Sequence, residues 1–309
     1  MEQPEDARRR PAVWAALLAV YLIWGSTYLG IELAMRTMPS LLMLSLRFVV
    51  AGSLLWLLVG RGLRPSRRQW ASATVIGGAL LLFGNGGVAI AQESIDTGTV
   101  ALIVGSVPLW LALLDRVVLG QRLARPAVAG LVLGFGGVAL LAGAAGGSAA
   151  GVAVVLVGSL AWAAGSLYAR RAALPSRPLA GAALQMLCGG VLLGLAGLAR
   201  GEADDVDLAA VSGESLVALV YLVLVGSLVG FSAYVWLLRN APTSLVGTYA
   251  YVNPVVAVAL GTVVLGEPLG ARVLAGGGAI LAAVVLIVSA RPVAAQVARS
   301  PGVVAGRGR

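Results

Sequence analysis

Apolar residues in this chain come in runs of about 20, long enough for a helix to cross the ~30 Å hydrocarbon core of a bilayer. Ten such runs can be read, over 12–34, 41–59, 70–91, 97–115, 127–144, 149–168, 179–199, 215–238, 244–265 and 270–290. Polar clusters separate them: Pro39-Ser40, the arginine-rich stretch Arg61 to Arg68, Arg125-Pro126, and the acidic stretch Glu202 to Asp207. Spans 5 and 6 are parted only by Gly146-Gly147-Ser148. The pattern predicts an all-α polytopic membrane protein of ten transmembrane helices, with a short tail over 1–11 and a basic, disordered tail over 291–309. The first run, at about 23 residues, is too long for the apolar region of a secretory signal, so it reads as an uncleaved first helix.

Composition then excludes whole classes. Hydrophobic residues make up 59% of the 309 and charged residues 11%, against about 25% charged in a soluble domain. Such a chain cannot cover a globular surface. Glycine, at 42 residues, suits close helix packing in lipid. Histidine is absent, which excludes a Ser–His dyad, a histidine zinc site and a histidine-ligated haem. The single cysteine, Cys188, excludes an intrachain disulfide and a Cys₄ metal site. There is no Walker A string, and Gly134 to Ala139 fits G-x-G-x-x-A without the preceding strand a dinucleotide site needs. No metal and no cofactor are expected.

All 22 basic residues are arginine, and the net charge is +9. With a cytoplasmic N-terminus, eighteen arginines fall on the inner side, among them Arg8 to Arg10, the Arg61–Arg68 group and Arg291 to Arg309. Only Arg36, Arg200 and Arg272 fall outside, and Arg47 lies within a span. The positive-inside rule therefore predicts a multi-pass inner-membrane protein with both termini in the cytoplasm. The basic excess orients the chain and does not imply nucleic acid. The expected partners are the lipid bilayer and a small-molecule substrate. The oligomeric state stays open, a monomer included.

The chain also aligns with itself. Leu119 to Leu123 (LGQRL) matches Leu265 to Leu269 (LGEPL), an offset that also places Thr97 on Thr243, Pro108 on Pro254 and Gly130 on Gly276. Earlier in each half a slightly shorter offset places Trp24 on Trp162, Leu46 on Leu184 and Gly52 on Gly190. Two five-helix units follow, 12–144 and 149–290. Because five is odd, the second enters the membrane from the opposite side, giving the inverted repeat found in many secondary transporters.

Three strings, Ile23-Trp24-Gly25-Ser26-Thr27, Leu46-Arg47-Phe48 and the LGQRL/LGEPL pair, together with the repeat, resemble the drug/metabolite transporter superfamily, specifically EamA-type permeases. The resemblance covers about residues 12–290. It implies a ten-helix basket with a central cavity, moving small solutes, often amino acids or other metabolites, outward. The family commonly has Glu in both LGE strings. Here the first is Gln121, so the carboxylate pair formed with Glu267 is at most half present.

Candidate chemistry lies where polar groups sit deep in the spans. Arg47 is six residues into span 2, roughly 9 Å below the surface at 1.5 Å per residue, where an unpaired cation is costly. Two readings stand: a structural clamp with Glu32, or a guanidinium fork holding a substrate carboxylate. Trp24, Ser26 and Thr27 in span 1 and Trp162 in span 6 form a second group near the midplane. Asn85 in span 3, Trp110 in span 4, and Tyr249 and Asn253 in span 9 complete the candidate substrate-binding set. Pro108 and Pro254, at matching positions, each free a carbonyl one turn back, and paired breaks of this kind point to transport sites. Glu32, Pro108, Pro254, Gln121 and Glu267 are assigned structural or gating roles.

These features predict a secondary transporter exporting amino acids or related neutral or zwitterionic metabolites by alternating access. The alternatives are efflux of small hydrophobic drugs, a passive channel, or a membrane-embedded enzyme. No nucleophile with an acid/base partner supports the last, and no midplane carboxylate supports export of cationic drugs. Glu32, Glu93, Asp96, Asp115 and Glu267 all sit near helix ends, so transport is expected to proceed without obligatory proton coupling.

Overall fold

The computed structural model describes residues 4–120, 123–144, 148–241 and 243–289. The apolar runs become helices because, away from water, an unpaired backbone N–H or C=O costs several kcal/mol, and a helix pairs them internally. Helix α1 spans Pro4–Met35 and α2 Ser40–Val59. Helix α3 runs from Arg67–Gly77 through a π-helical stretch, Gly78–Asn85, into Gly86–Gln92. Helix α4 has two pieces, Thr97–Val104 and Val107–Leu119. Then come α5 (Arg125–Ala144), α6 (Ala149–Ala169) and α7 (Pro178–Arg200). Helix α8 joins Gly213–Tyr221, a second π-helical stretch Leu222–Val229, and Gly230–Asn240. Helix α9 is again divided, into Thr243–Val246 and Tyr249–Leu265, and α10 is Ala271–Ser289. Among the described residues nine stretches are long and apolar enough to cross a membrane, and the Tyr249–Leu265 piece is shorter.

Three expectations change. The tail over 1–11 is helical from Pro4, with Pro11 inside α1, since a proline this near the start removes only the bond to Ala7. The runs 97–115 and 244–265 are each interrupted, at Gly105-Ser106 and Gly247-Thr248, a few residues ahead of Pro108 and Pro254. Gln121 and the tail 291–309 lie outside the described residues.

The packing obeys the two-fold relation of the repeats. The most extensive contacts join mates, α2 to α7 and α5 to α10. Helix α1 packs on α8 and α9 as α6 packs on α3 and α4, and α4 and α9 pack on each other. The architecture is thus two inverted five-helix repeats. Between α5 and α10 a Cβ built on Gly137 would fall 2.7 Å from the Gly276 carbonyl oxygen, and one on Gly276 would fall 2.8 Å from that of Gly137. Such contact lets dispersion forces act where the hydrophobic effect cannot, since lipid is as apolar as the helices.

Two carboxylates staple the repeats together at the end opposite the start of α1. Helices α2 and α4 begin after Pro39 and Asp96, neither of which supplies a side-chain cap. The first N–H groups of a helix have no partner within it, and the partners come from the other repeat. Glu202 accepts from the N–H groups of Leu41 (3.0 Å) and Leu42 (2.9 Å) and from the Ser40 hydroxyl at 3.1 Å. Glu267 accepts from the N–H groups of Thr97 (2.6 Å) and Gly98 (2.9 Å). Beside the first staple, Arg200 donates to both Glu93 oxygens at 2.8 and 2.6 Å, which holds the Glu93 carboxyl below its ordinary range.

Candidate functional site

The chain's π-helical stretches and helix breaks converge on one cavity of about 270 Å³. Each π-helical stretch contains a polar side chain reaching back five residues: Asn85 donates to the Leu80 carbonyl at 3.2 Å and Ser227 to the Leu222 carbonyl at 3.0 Å. Side chains inserted in the hydrogen-bond ladder widen a helix locally. Two glycine sockets lie within or directly after the widened turns. A Cβ on Gly84 would fall 2.6 Å from the Trp162 ring, and one on Gly230 would fall 2.6 Å from Trp24 Nε1. Gly84 and Gly230 occupy matching positions in the repeats, as do the two tryptophans. Each repeat thus seats its indole on the other repeat's widened helix, through the same device.

Trp24, Thr27, Arg47, Asn85, Trp162, Tyr249 and Asn253 all line the cavity, as do Pro108 and Pro254. Two candidates do not. The Ser26 hydroxyl is spent on the carbonyls of Leu22 (2.6 Å) and Ile23 (2.9 Å) and lies 2.6 Å from the Tyr221 hydroxyl on α8. It faces a helix contact because it lies two residues from Trp24, about 200° around the helix and so on the far side from that ring. Trp110 turns toward α5, edge-on to Phe135 with centroids 5.0 Å apart. Glu32 is also absent from the lining; its charged neighbours are Glu267, Arg36 and Asp96.

Arg47 is 4% exposed, and its partner is not Glu32. Its Nε donates to the Ser227 hydroxyl at 3.1 Å, and its guanidinium carbon stands 4.6 Å from the Phe48 ring centroid. Nη1 has no hydrogen-bond partner. The expected clamp therefore does not form, because Ser227, opened out by the π-helical stretch, reaches the guanidinium instead. Ser159, absent from the sequence-based candidates, is 3% exposed, lines the cavity and has an unpartnered hydroxyl. Its signal was available: it sits three residues before Trp162, on the same helix face.

Asn253 stands on the cavity wall but is engaged with backbone. With its amide nitrogen turned toward them, it donates to the carbonyls of Tyr21 (3.3 Å) and Tyr249 (3.1 Å), tying α9 to α1. One side of the cavity is closed by rings: Trp24 lies 5.6, 5.0 and 5.3 Å from Phe231, Tyr234 and Tyr249. Tyr21 adds a hydrogen bond to Thr248 at the α9 break. The described lining contains no Asp or Glu. A half-open, mostly apolar chamber with one buried cation short of a partner can hold a small solute bearing an anionic group.

A family model described as the EamA-like transporter family matches residues 10–143 and 149–289. The inner membrane transporter YedA of Escherichia coli K12 is 38% identical over 296 residues, covering 92% of this chain and 95% of its own length. A protein of Salmonella typhimurium named a probable amino-acid metabolite efflux pump is 26% identical, covering 86% of this chain and 91% of its own. One solved crystal structure superposes with a TM-score of 0.63 at 21% identity, covering 91% of this chain and 99% of the other, a likeness of fold.

Proposed function

The chain belongs to the EamA-like transporter family, within the drug/metabolite transporter superfamily, and from that premise we propose that it exports amino acids or related neutral or zwitterionic metabolites by alternating access. It is an integral multi-pass membrane transporter. In this reading it lies in the inner membrane with both termini in the cytoplasm, which places the Glu202 and Glu267 staples on the outer side.

One observation carries the substrate class: a cavity-lining guanidinium, 4% exposed, whose Nη1 lacks a partner. Burying a cation in lipid costs several kcal/mol unless something compensates it. A bound carboxylate would do so with two parallel hydrogen bonds. The name of the Salmonella relative supports the same class. Rocking one repeat against the other would expose the cavity alternately to the two sides, as repeat interfaces do in other carriers.

The test is counterflow in proteoliposomes across a panel of the twenty amino acids. Saturable exchange that distinguishes L- from D-isomers is expected. Flux that never saturates would make the protein a channel, and chemical conversion of the solute would make it an enzyme. Exchange confined to hydrophobic amines would replace the amino-acid reading with drug efflux.

A further inference from the structure

Resting on the amino-acid reading above, we propose that the cavity holds an acceptor subsite for the substrate's ammonium group, built from the main-chain carbonyls of Val104 and Ala250.

Both carbonyls lose their usual donor for the same reason. In an α-helix the C=O of residue i accepts from the N–H of residue i+4, and here those residues are Pro108 and Pro254, which have no N–H. Val104 is also the last residue of the half-helix Thr97–Val104, where the helix dipole places partial negative charge. Val104 and Ala250 both line the cavity and are mates in the repeat. The α4 break touches the α9 proline: a Cβ built on Gly105 would fall 3.2 Å from Cγ of Pro254.

Arg47 stands alone by contrast. Its mate is Gln185, which is not part of the lining. The chamber is therefore polarised, with a buried cation on one helix and, where α4 and α9 meet, two carbonyls that lack their usual helical donor. A ligand that satisfies both ends has a carboxylate and an ammonium on one small frame. Without a carboxylate in the described lining, an amine alone finds only dipoles and the Arg47 charge, and is rejected. An acid lacking the amine leaves the carbonyls unpaired in an apolar cavity, which is costly.

The experiment uses the full-length protein in proteoliposomes exchanging labelled L-leucine, or whichever amino acid in the panel exchanges fastest. Two competitors each lack one end of leucine: 4-methylpentanoate, without the amine, and 3-methylbutylamine, without the carboxylate. Each should inhibit at least about tenfold more weakly than leucine, as expected for losing one charge-assisted anchor. Pro108→Ala and Pro254→Ala restore the missing N–H and occupy the carbonyls. They should weaken leucine about tenfold while leaving 4-methylpentanoate unchanged. Equal inhibition by leucine and 4-methylpentanoate in the unaltered protein overturns the subsite, whether or not the variants accumulate. Unchanged discrimination in variants that do accumulate overturns the assignment to these carbonyls. Absence of exchange for every amino acid removes the parent reading and the subsite with it, whereas exchange without amine discrimination removes only the subsite.

Discussion

Replacing Arg47 with methionine separates a structural arginine from a substrate anchor. Methionine keeps an unbranched apolar stem and deletes the charge. Removing one partner of a satisfied buried ion pair costs about 3–5 kcal/mol, while removing an uncompensated buried ion relieves a desolvation penalty of several kcal/mol. Arg47 has no carboxylate partner, so its losses are the Ser227 hydrogen bond, worth about 1.5–3 kcal/mol because its donor is charged, and the Phe48 contact, about 2 kcal/mol when desolvated. Ser227 keeps its own bond to the Leu222 carbonyl, so no new orphan is made. Losses and relieved penalty are of similar size, so the melting temperature in detergent should be little changed. Transport should fare differently. Two charge-assisted bonds to a carboxylate contribute about 1.5–3 kcal/mol each, and losing even 2 kcal/mol net weakens apparent affinity roughly 30-fold. The checks are thermal unfolding of the purified protein and concentration-dependent counterflow at equal membrane abundance. A melting temperature that drops along with flux would refute the reasoning and return Arg47 to a structural role.

The glycine sockets predict that Gly84→Ala and Gly230→Ala each destabilise by about 1–3 kcal/mol through overpacking, with Trp24→Phe partly rescuing Gly230→Ala in thermal unfolding; full stability of both single variants would show that the indoles are free to move. The Glu93 carboxyl, held below its ordinary range by Arg200, contributes stability that is present above its unfolded pKa and is lost as pH falls through its lower folded value. Melting should therefore hold level from neutral pH and decline only in acid. Arg200→Gln should remove the Glu93 share of that decline, within about 1 kcal/mol because the pair is solvent-screened; an identical acid limb in the variant would show that the pair contributes nothing. Since Glu32 and the other acids are absent from the described lining, counterflow should be the same with and without a pH gradient at matched membrane potential. Uphill accumulation driven by that gradient, and abolished by Glu32→Gln, would make Glu32 a proton carrier. After replacement of Cys188, Asp204→Cys and Asp207→Cys should react with an impermeant thiol reagent from outside, and Arg64→Cys and Arg68→Cys should not; the reverse pattern would invert the orientation.

Much of this protein is legible in one dimension because a bilayer imposes one-dimensional rules. A helix pairs most of its backbone polar groups internally, so apolar run length locates the helices though not their breaks at Gly105-Ser106 and Gly247-Thr248, and the LGQRL/LGEPL and Trp24/Trp162 matches disclose the inverted repeat. Depth along a helix is likewise set by residue count, which is why Trp24, Arg47, Asn85, Trp162, Tyr249 and Asn253 read as polar or aromatic groups within the spans, and they do share one cavity. Rotation about the helix axis and the partner across the gap are not set by residue count. Ser26 and Trp110 have suitable depth and chemistry, yet α8 and α5 claim them. Arg47 meets Ser227 instead of Glu32 because a π-helical stretch, held open by a side chain reaching back five residues, turns that hydroxyl inward. In the sequence Glu202 belongs to an acidic loop and Glu267 to a helix end with a structural or gating role, but the groups they cap lie more than 150 residues away, since those helix starts have no local cap. Such pairings depend on which helix ends come together, and only the packing of the two repeats brings them there.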